Sequence, residues 1–244
     1  MKRLVKRALA RTGYAVVNTR IGVEDDFRRI FERCREYTQT TQWSMHALYY
    51  SVRYLHRYDI AGAIVECGVW RGGSAMLCAL TLAELGDTSR DIYLFDTYKG
   101  MPAPEAVDVD HAGRPASTAW GRAQRAEHNE WNYAPLDEVR ARMLSTGYPS
   151  NRLHFVEGLV EDTIPAHAPG DVALLRIDTD FYRSTRHALE QLYPRLVRHG
   201  VLVLDDYGHF EGARRAADEY FDAAGVTILL NRIDHSVRAA VKAD

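Results

Sequence analysis

The sequence predicts an α/β protein built on a doubly wound, mostly parallel sheet, and three observations carry that expectation. Short apolar runs of strand length recur between segments of helical spacing, the pattern of a parallel sheet with helices on both faces. The first of these runs ends in a glycine and opens directly into a helix. The chain closes on two strand-like runs too near each other for a crossover, so the last strand must turn back antiparallel.

Each element follows from its own pattern. Residues 23–36 predict a helix, with Val23, Phe27, Ile30, Phe31 and Cys34 on one face. A threonine-rich turn occupies 38–41, and a second helix over 43–58 carries Ala47, Tyr50, Tyr54 and Leu55. Residues 63–67 are an apolar strand that stops at Gly68; Gly72, Gly73 and Ser74 then open a helix over 75–85. Further strands are expected at 91–96, 153–156, 172–177 and 201–204, with helices over 185–197 and 212–224. The runs 226–230 and 236–241, separated by 231–235, form the terminal hairpin. Five parallel strands followed by such a hairpin is the layout of the Rossmann-like class I methyltransferase fold. Residues 1–60 are then an N-terminal helical extension, and 61–244 the main domain. Residues 100–150 break the alternation: they are polar, punctuated by Pro and Gly, and hold Trp120, Trp131, Tyr133 and a short helix over 136–144. An insertion of that length suits a lid over a binding site, with an oligomer interface or a plain surface loop as the competing readings.

Bulk composition narrows the function. At 244 residues and 46% hydrophobic, the chain can bury a full core without disulfides or a structural metal. A formal net charge of -2 argues against a nucleic-acid partner, which would need a basic excess. The three cysteines, Cys34, Cys67 and Cys78, include no C-x-x-C pair, so a reducing cytoplasm is expected. No run is apolar enough for a transmembrane helix. The basic start, with Lys2, Arg3, Lys6, Arg7 and Arg11, lacks the continuous apolar core of an export signal and predicts at most a short basic helix.

The glycine turn and the acids at strand ends mark the site. Gly68 lets the backbone turn sharply, and the following helix points free N–H groups back at a ligand. The turn is neither the Gly-x-Gly-x-x-Gly of dinucleotide binders nor a P-loop. A phosphate ligand is therefore not favoured, whereas S-adenosylmethionine, which has none, tolerates a looser turn. Asp96, closing the second strand, is placed to accept both hydroxyls of a ribose. Asp178 and Asp180 follow the fourth strand, and Asp205 and Asp206 the fifth. If those strands are neighbours, the acids converge where open α/β sheets bind ligands. Clustered carboxylates repel one another unless protonated or bridged by a cation. An all-oxygen set favours Mg²⁺, with Ca²⁺ or Mn²⁺ as alternatives. His209 lies close by in sequence as a candidate base or supporting group.

Together these pieces resemble the macrocin O-methyltransferase family, whose members methylate sugar hydroxyls of macrolide and aminocoumarin antibiotics. The resemblance runs through residues 65–74 (Val-Glu-Cys-Gly-Val-Trp-Arg-Gly-Gly-Ser), 96–102 (Asp-Thr-Tyr-Lys-Gly-Met-Pro), 177–182 (Ile-Asp-Thr-Asp-Phe-Tyr), 205–209 (Asp-Asp-Tyr-Gly-His) and 237–242, about residues 36 to 242 in all. It implies Asp178, Asp205 and Asp206 as metal ligands and Asp180 as general base. It also implies Thr38, Thr40, Glu66, Gly68, Ser74, Asp96 and Gly158 around a methyl donor, S-adenosylmethionine. The acceptor would be a glycoside or glycan, with a vicinal diol suited to chelation, and the protein a homo-oligomer. The sequence departs from the family at Gln42, Trp43 and Lys99, near the donor turn and the insertion, which bears on acceptor choice. The enzymatic rival is a glycosyltransferase using Asp178-Thr179-Asp180 as its Asp-x-Asp, with Arg176 and Arg183 for the diphosphate; a non-catalytic donor-binding protein is the third reading.

Overall fold

The computed structural model describes residues 11–12 and 22–243. The basic N-terminal segment lies outside them, apart from Arg11 and Thr12. Two helices lead in, α1 (Asp25–Cys34) and α2 (Gln42–Arg57), joined by a 3₁₀ turn (Arg35–Tyr37). The alternation then runs β1 (Ala63–Cys67), α3 (Gly73–Glu84), β2 (Ile92–Asp96), α4 (Ala116–Ala123), α5 (Leu136–Leu144), β3 (Leu153–Glu157), α6 (Val160–His167), β4 (Val172–Ile177), α7 (Tyr182–Leu192), β5 (Leu196–Leu204), α8 (Glu211–Ala224), β6 (Asn231–Arg232) and β7 (Arg238–Val241).

Among the described residues seven strands form one sheet in the order β3-β2-β1-β4-β5-β7-β6. β1 to β5 pair in parallel, and β7 runs antiparallel to both β5 and β6. β1 pairs with both β2 and β4, so the order switches direction there. That crevice is where ligands enter such sheets.

Both faces are covered, and the strands alternate between them. Ile64, Leu174 and Val203 face a cluster that includes Phe27, Ile30, Met45, Leu48 and Leu77 of α1, α2 and α3. Val65, Leu175, Leu202 and Leu204 face Ile164, Leu189, Leu192 and Phe221 of α6, α7 and α8. The residues expected as an N-terminal extension thus share one apolar cluster with α3.

Several elements differ from expectation. On α2 the buried face is Met45, Leu48, Tyr49, Val52 and Leu55, while Tyr50 is exposed. The helix expected over 185–197 starts three residues earlier and ends at Leu192; the chain then makes a 3₁₀ turn at Tyr193–Arg195 and enters β5, which begins well before Val201. β5 shifts register against β4 between Val172 and Leu174, which absorbs the polar Arg198 and His199 on a strand otherwise apolar at its end. The run 226–230 is not a strand. The short hairpin partner is Asn231–Arg232, inside the expected connection. α4 and α6 are helices beyond those the sequence predicts.

The insertion after β2 is anchored. The indole N–H of Trp120 donates to the Met101 carbonyl at 3.0 Å, and the amide of Asn129 donates to the Lys99 carbonyl at 2.8 Å. Trp120 and Trp131 pack half-buried against Met101, Phe181 and Phe210.

Candidate active site at the carboxyl ends of β1, β4 and β5

The glycine turn exists because β1 and β4 come together there. Gly68 has φ 83°, and its Cα lies so close to β4 that a Cβ would sit 1.7 Å from the Asp178 carbonyl oxygen. Its amide donates to the Phe95 carbonyl at 2.8 Å, and the Asp178 amide donates to the Cys67 carbonyl at 2.8 Å. Gly73 plays the matching part on the other side: a Cβ there would meet the Tyr37 carbonyl at 2.6 Å and Thr38 Cβ at 2.8 Å. The 38–41 turn is thereby seated against the first turn of α3, where Ser74 is buried.

The turn is tied down at both ends. Thr38 Oγ1 accepts from the Thr40 amide at 3.0 Å. Thr41 caps α2, its hydroxyl accepting from the Ser44 amide at 3.2 Å. The hydroxyls of Thr41 and Ser44 both donate to Asp234 Oδ2. Asp234 Oδ1 accepts the amides of Ser236 and Val237, each at 2.8 Å. Burial raises the Asp234 carboxyl, but these four hydrogen bonds outweigh it and leave it below its ordinary value.

Parallel pairing of β4 with β5 brings the strand-end acids together as expected. Carboxylate oxygens of Asp178, Asp205 and Asp206 lie within 4.8 Å of one another. Asp180, with φ 62°, turns back so that its amide donates to Asp206 Oδ2 at 3.0 Å. Burial, with Asp178 and Asp205 adding repulsion, pushes the Asp180 carboxyl well above the usual range. Asp206 is raised likewise by burial and then by Asp180 and Asp178. Asp205 is raised by burial to about 7, with Arg176 opposing the rise.

Arg176 is the residue whose part in this site sequence reasoning missed. It is 3% exposed, and its guanidinium reaches Glu66 Oε1 at 2.6 Å, Asp178 Oδ2 at 2.7 Å, Thr40 Oγ1 at 2.9 Å and Asp205 Oδ1. Glu66 is the register partner of Arg176 across the β1–β4 ladder. Burial raises Glu66 to about 8, and its second oxygen has no partner. The signal was available: a charge inside the apolar run Leu174-Leu175-Arg176-Ile177 must be paired if the strand is buried. The same contacts weigh against the glycosyltransferase alternative. Arg176 is committed to carboxylates and Thr40, so it is not free for a diphosphate.

Two clefts meet here. One, with about 590 Å³ of open space, is bordered by Gly68, Asp96, Gly158 and Leu159; the other, about 930 Å³, by Thr38, Thr40, Ser74, Asp205, Asp206 and His209. Trp70, Asn132, Asp178 and Asp180 border both. Asp96 is more occupied than expected. Its Oδ2 accepts the amides of Val69 and Trp70 at 2.7 and 2.9 Å, and its Oδ1 that of Tyr98 at 2.7 Å. Burial raises it nonetheless. Gly158, φ 142°, follows β3 against Thr163. His209 borders the larger cleft, its amide bonded to the Asp206 carbonyl at 2.9 Å and its ring 5.2 Å from that of His111. Burial, with His111 beside it, lowers its pKa, so its ring is neutral near pH 7.

The chain has known relatives. The model of the macrocin-O-methyltransferase family (TylF) matches residues 22–240. The 8-demethyl-8-(2,3-dimethoxy-alpha-L-rhamnosyl)-tetracenomycin-C 4'-O-methyltransferase of Streptomyces olivaceus is 36% identical over 188 residues, 77% of this chain and 68% of that protein. The mycinamicin III 3''-O-methyltransferase of Micromonospora griseorubida is 30% identical over 180 residues, 73% of this chain and 67% of that protein. In three dimensions the chain superposes on the O-methyltransferase NovP with a TM-score of 0.77 at 24% identity, covering 99% of this chain and 98% of that one.

Proposed function

Because the chain belongs to the macrocin O-methyltransferase family, we propose that it moves a methyl group from S-adenosylmethionine to a sugar hydroxyl with the help of a divalent cation. The observation that carries this reading is the convergence of Asp178, Asp205 and Asp206 within 4.8 Å at the meeting point of two clefts. The relatives' names support the acceptor class, since the tetracenomycin enzyme acts on a rhamnosyl compound.

The residues present fit a hard cation. The donors are all carboxylate oxygens, without His or Cys, and the raised Asp205 and Asp206 are under-compensated negative groups. Asp178, Asp205 and Asp206 would hold it, with Mg²⁺ the first choice. Once bound, it supplies Lewis-acid chemistry that acidifies and orients an acceptor hydroxyl.

The chain's own groups do the rest. Gly68 brings the backbone of the turn to the edge of the donor cleft, and Thr38, Thr40 and Ser74 close its other flank. Asp96 has three of its roughly four acceptor positions taken by main-chain amides, so it holds one ribose hydroxyl rather than two. Gly158 borders the same cleft as Gly68 and Asp96. Asp180 borders both clefts, its amide tied to Asp206, and its carboxylate is the group placed to take the acceptor proton. Trp131 and His209 border the acceptor side, a half-buried aromatic and a neutral imidazole suited to a sugar's apolar face and hydroxyls. The insertion forms the outer wall of the cleft, in keeping with a lid. Acceptors with two adjacent hydroxyls suit this site best.

The test is methyl transfer from labelled S-adenosylmethionine to a panel of glycosides with free vicinal diols. Transfer that stops with EDTA and returns with Mg²⁺ is expected. Transfer indifferent to EDTA removes the cation; transfer only to aromatic hydroxyls or amines removes the sugar.

A further inference from the structure

We infer that Arg176 couples the acidic cluster to the donor side of the cleft, so that a cation on Asp178, Asp205 and Asp206 and a ligand under the 38–41 turn strengthen each other's binding. The inference rests on the reading of those acids as cation ligands.

The geometry is that of a shared fork. Nη1 divides between Glu66 Oε1 at 2.6 Å and Asp178 Oδ2 at 2.7 Å. Nη2 divides between Thr40 Oγ1 at 2.9 Å and Asp205 Oδ1. Each terminal nitrogen therefore serves one carboxylate of the cluster and one group outside it. The guanidinium is planar and buried, so its donors cannot reorient independently.

A cation on the cluster competes with Arg176 for the Asp178 and Asp205 oxygens. The N–H groups it displaces are left to Glu66, which still has an unpartnered oxygen, and to Thr40. A firmer hold on Thr40 fixes the turn that borders the donor side together with Ser74. Linkage requires the reverse as well: a ligand that orders the turn draws Arg176 toward Thr40 and frees the carboxylates for the cation. Arg176 acts through these neighbours and is a positioning residue.

The test is Mn²⁺ titration of the full chain, stripped with EDTA and dialysed, read by electron paramagnetic resonance with and without saturating S-adenosylhomocysteine. In the unaltered protein S-adenosylhomocysteine should tighten Mn²⁺ binding roughly fivefold or more. In Thr40→Val, which removes the acceptor and keeps the shape, the enhancement should fall to about one. Arg176→Lys, which keeps the charge without the fork, should lose the enhancement too, with circular dichroism confirming the fold. Equal enhancement in Thr40→Val and the unaltered protein, or none in the latter, overturns the coupling and leaves the cation reading standing. No Mn²⁺ binding in the unaltered protein under either condition overturns both.

Discussion

Asp180 and Gly68 are held in left-handed backbone for different reasons, and substitution should separate them. Asp180→Asn keeps the shape and removes the base. Mn²⁺ and S-adenosylhomocysteine should bind as before while kcat falls by about 10²- to 10⁴-fold; an unchanged kcat would reject Asp180 as the base. Gly68→Ala places a methyl group 1.7 Å from the Asp178 carbonyl oxygen at φ 83°. The loss should reach about 3 kcal/mol or more, read from urea midpoints, since both strain and overlap oppose it. The strand-end acids were legible because a pair of Asp residues follows each of two apolar runs, and parallel pairing then forces them together. Arg176 and the amide bonds of Asp96 were not. Their partners come from segments up to 136 residues away, and no local pattern encodes that distance.

At the scale of elements, the N-terminal turn and the terminal hairpin form a clasp through Asp234. Its folded pKa is depressed, so the clasp contributes fully above the unfolded carboxylate value of about 3.9. That contribution is lost as pH falls through the lower folded value. The unaltered protein should therefore hold a stability advantage over Asp234→Asn at pH 6 that shrinks on acidification below about pH 4. Thermal midpoints across pH 3 to 7 would measure it; a gap that widens in acid would contradict the assignment. Thr41→Ala, which removes the cap and one arm of the clasp, should cost about 1 kcal/mol. The strands β1 and β4 were legible to the residue because each is apolar but for a single charge, Glu66 in one and Arg176 in the other. α6 was not, since Pro165 lies inside it and its only buried residues are Val160 and Ile164. The brief β6 is defined by its pairing with β7, not by its own polar residues Asn231 and Arg232.

At the scale of the whole molecule, the fold class followed from the alternation of strands and helices, and the switch between β2 and β4 around β1 followed from the fold class. How the insertion packs was not legible, because Met101, Phe181 and Phe210 meet Trp131 only once the sheet has assembled. Burial on both faces also has a chemical consequence. Cys34, Cys67 and Cys78 are free and buried, and burial pushes all three thiols up, Cys34 to about 12. A thiol reagent should label none of them until denaturant is added; rapid labelling of the native protein would contradict that burial. The central claim is that the crevice at this switch binds a methyl donor. Calorimetric titration of S-adenosylhomocysteine into EDTA-treated protein, with and without Mg²⁺, tests it most directly. Saturable binding, tighter with Mg²⁺, is the predicted result; no binding under either condition would contradict the account.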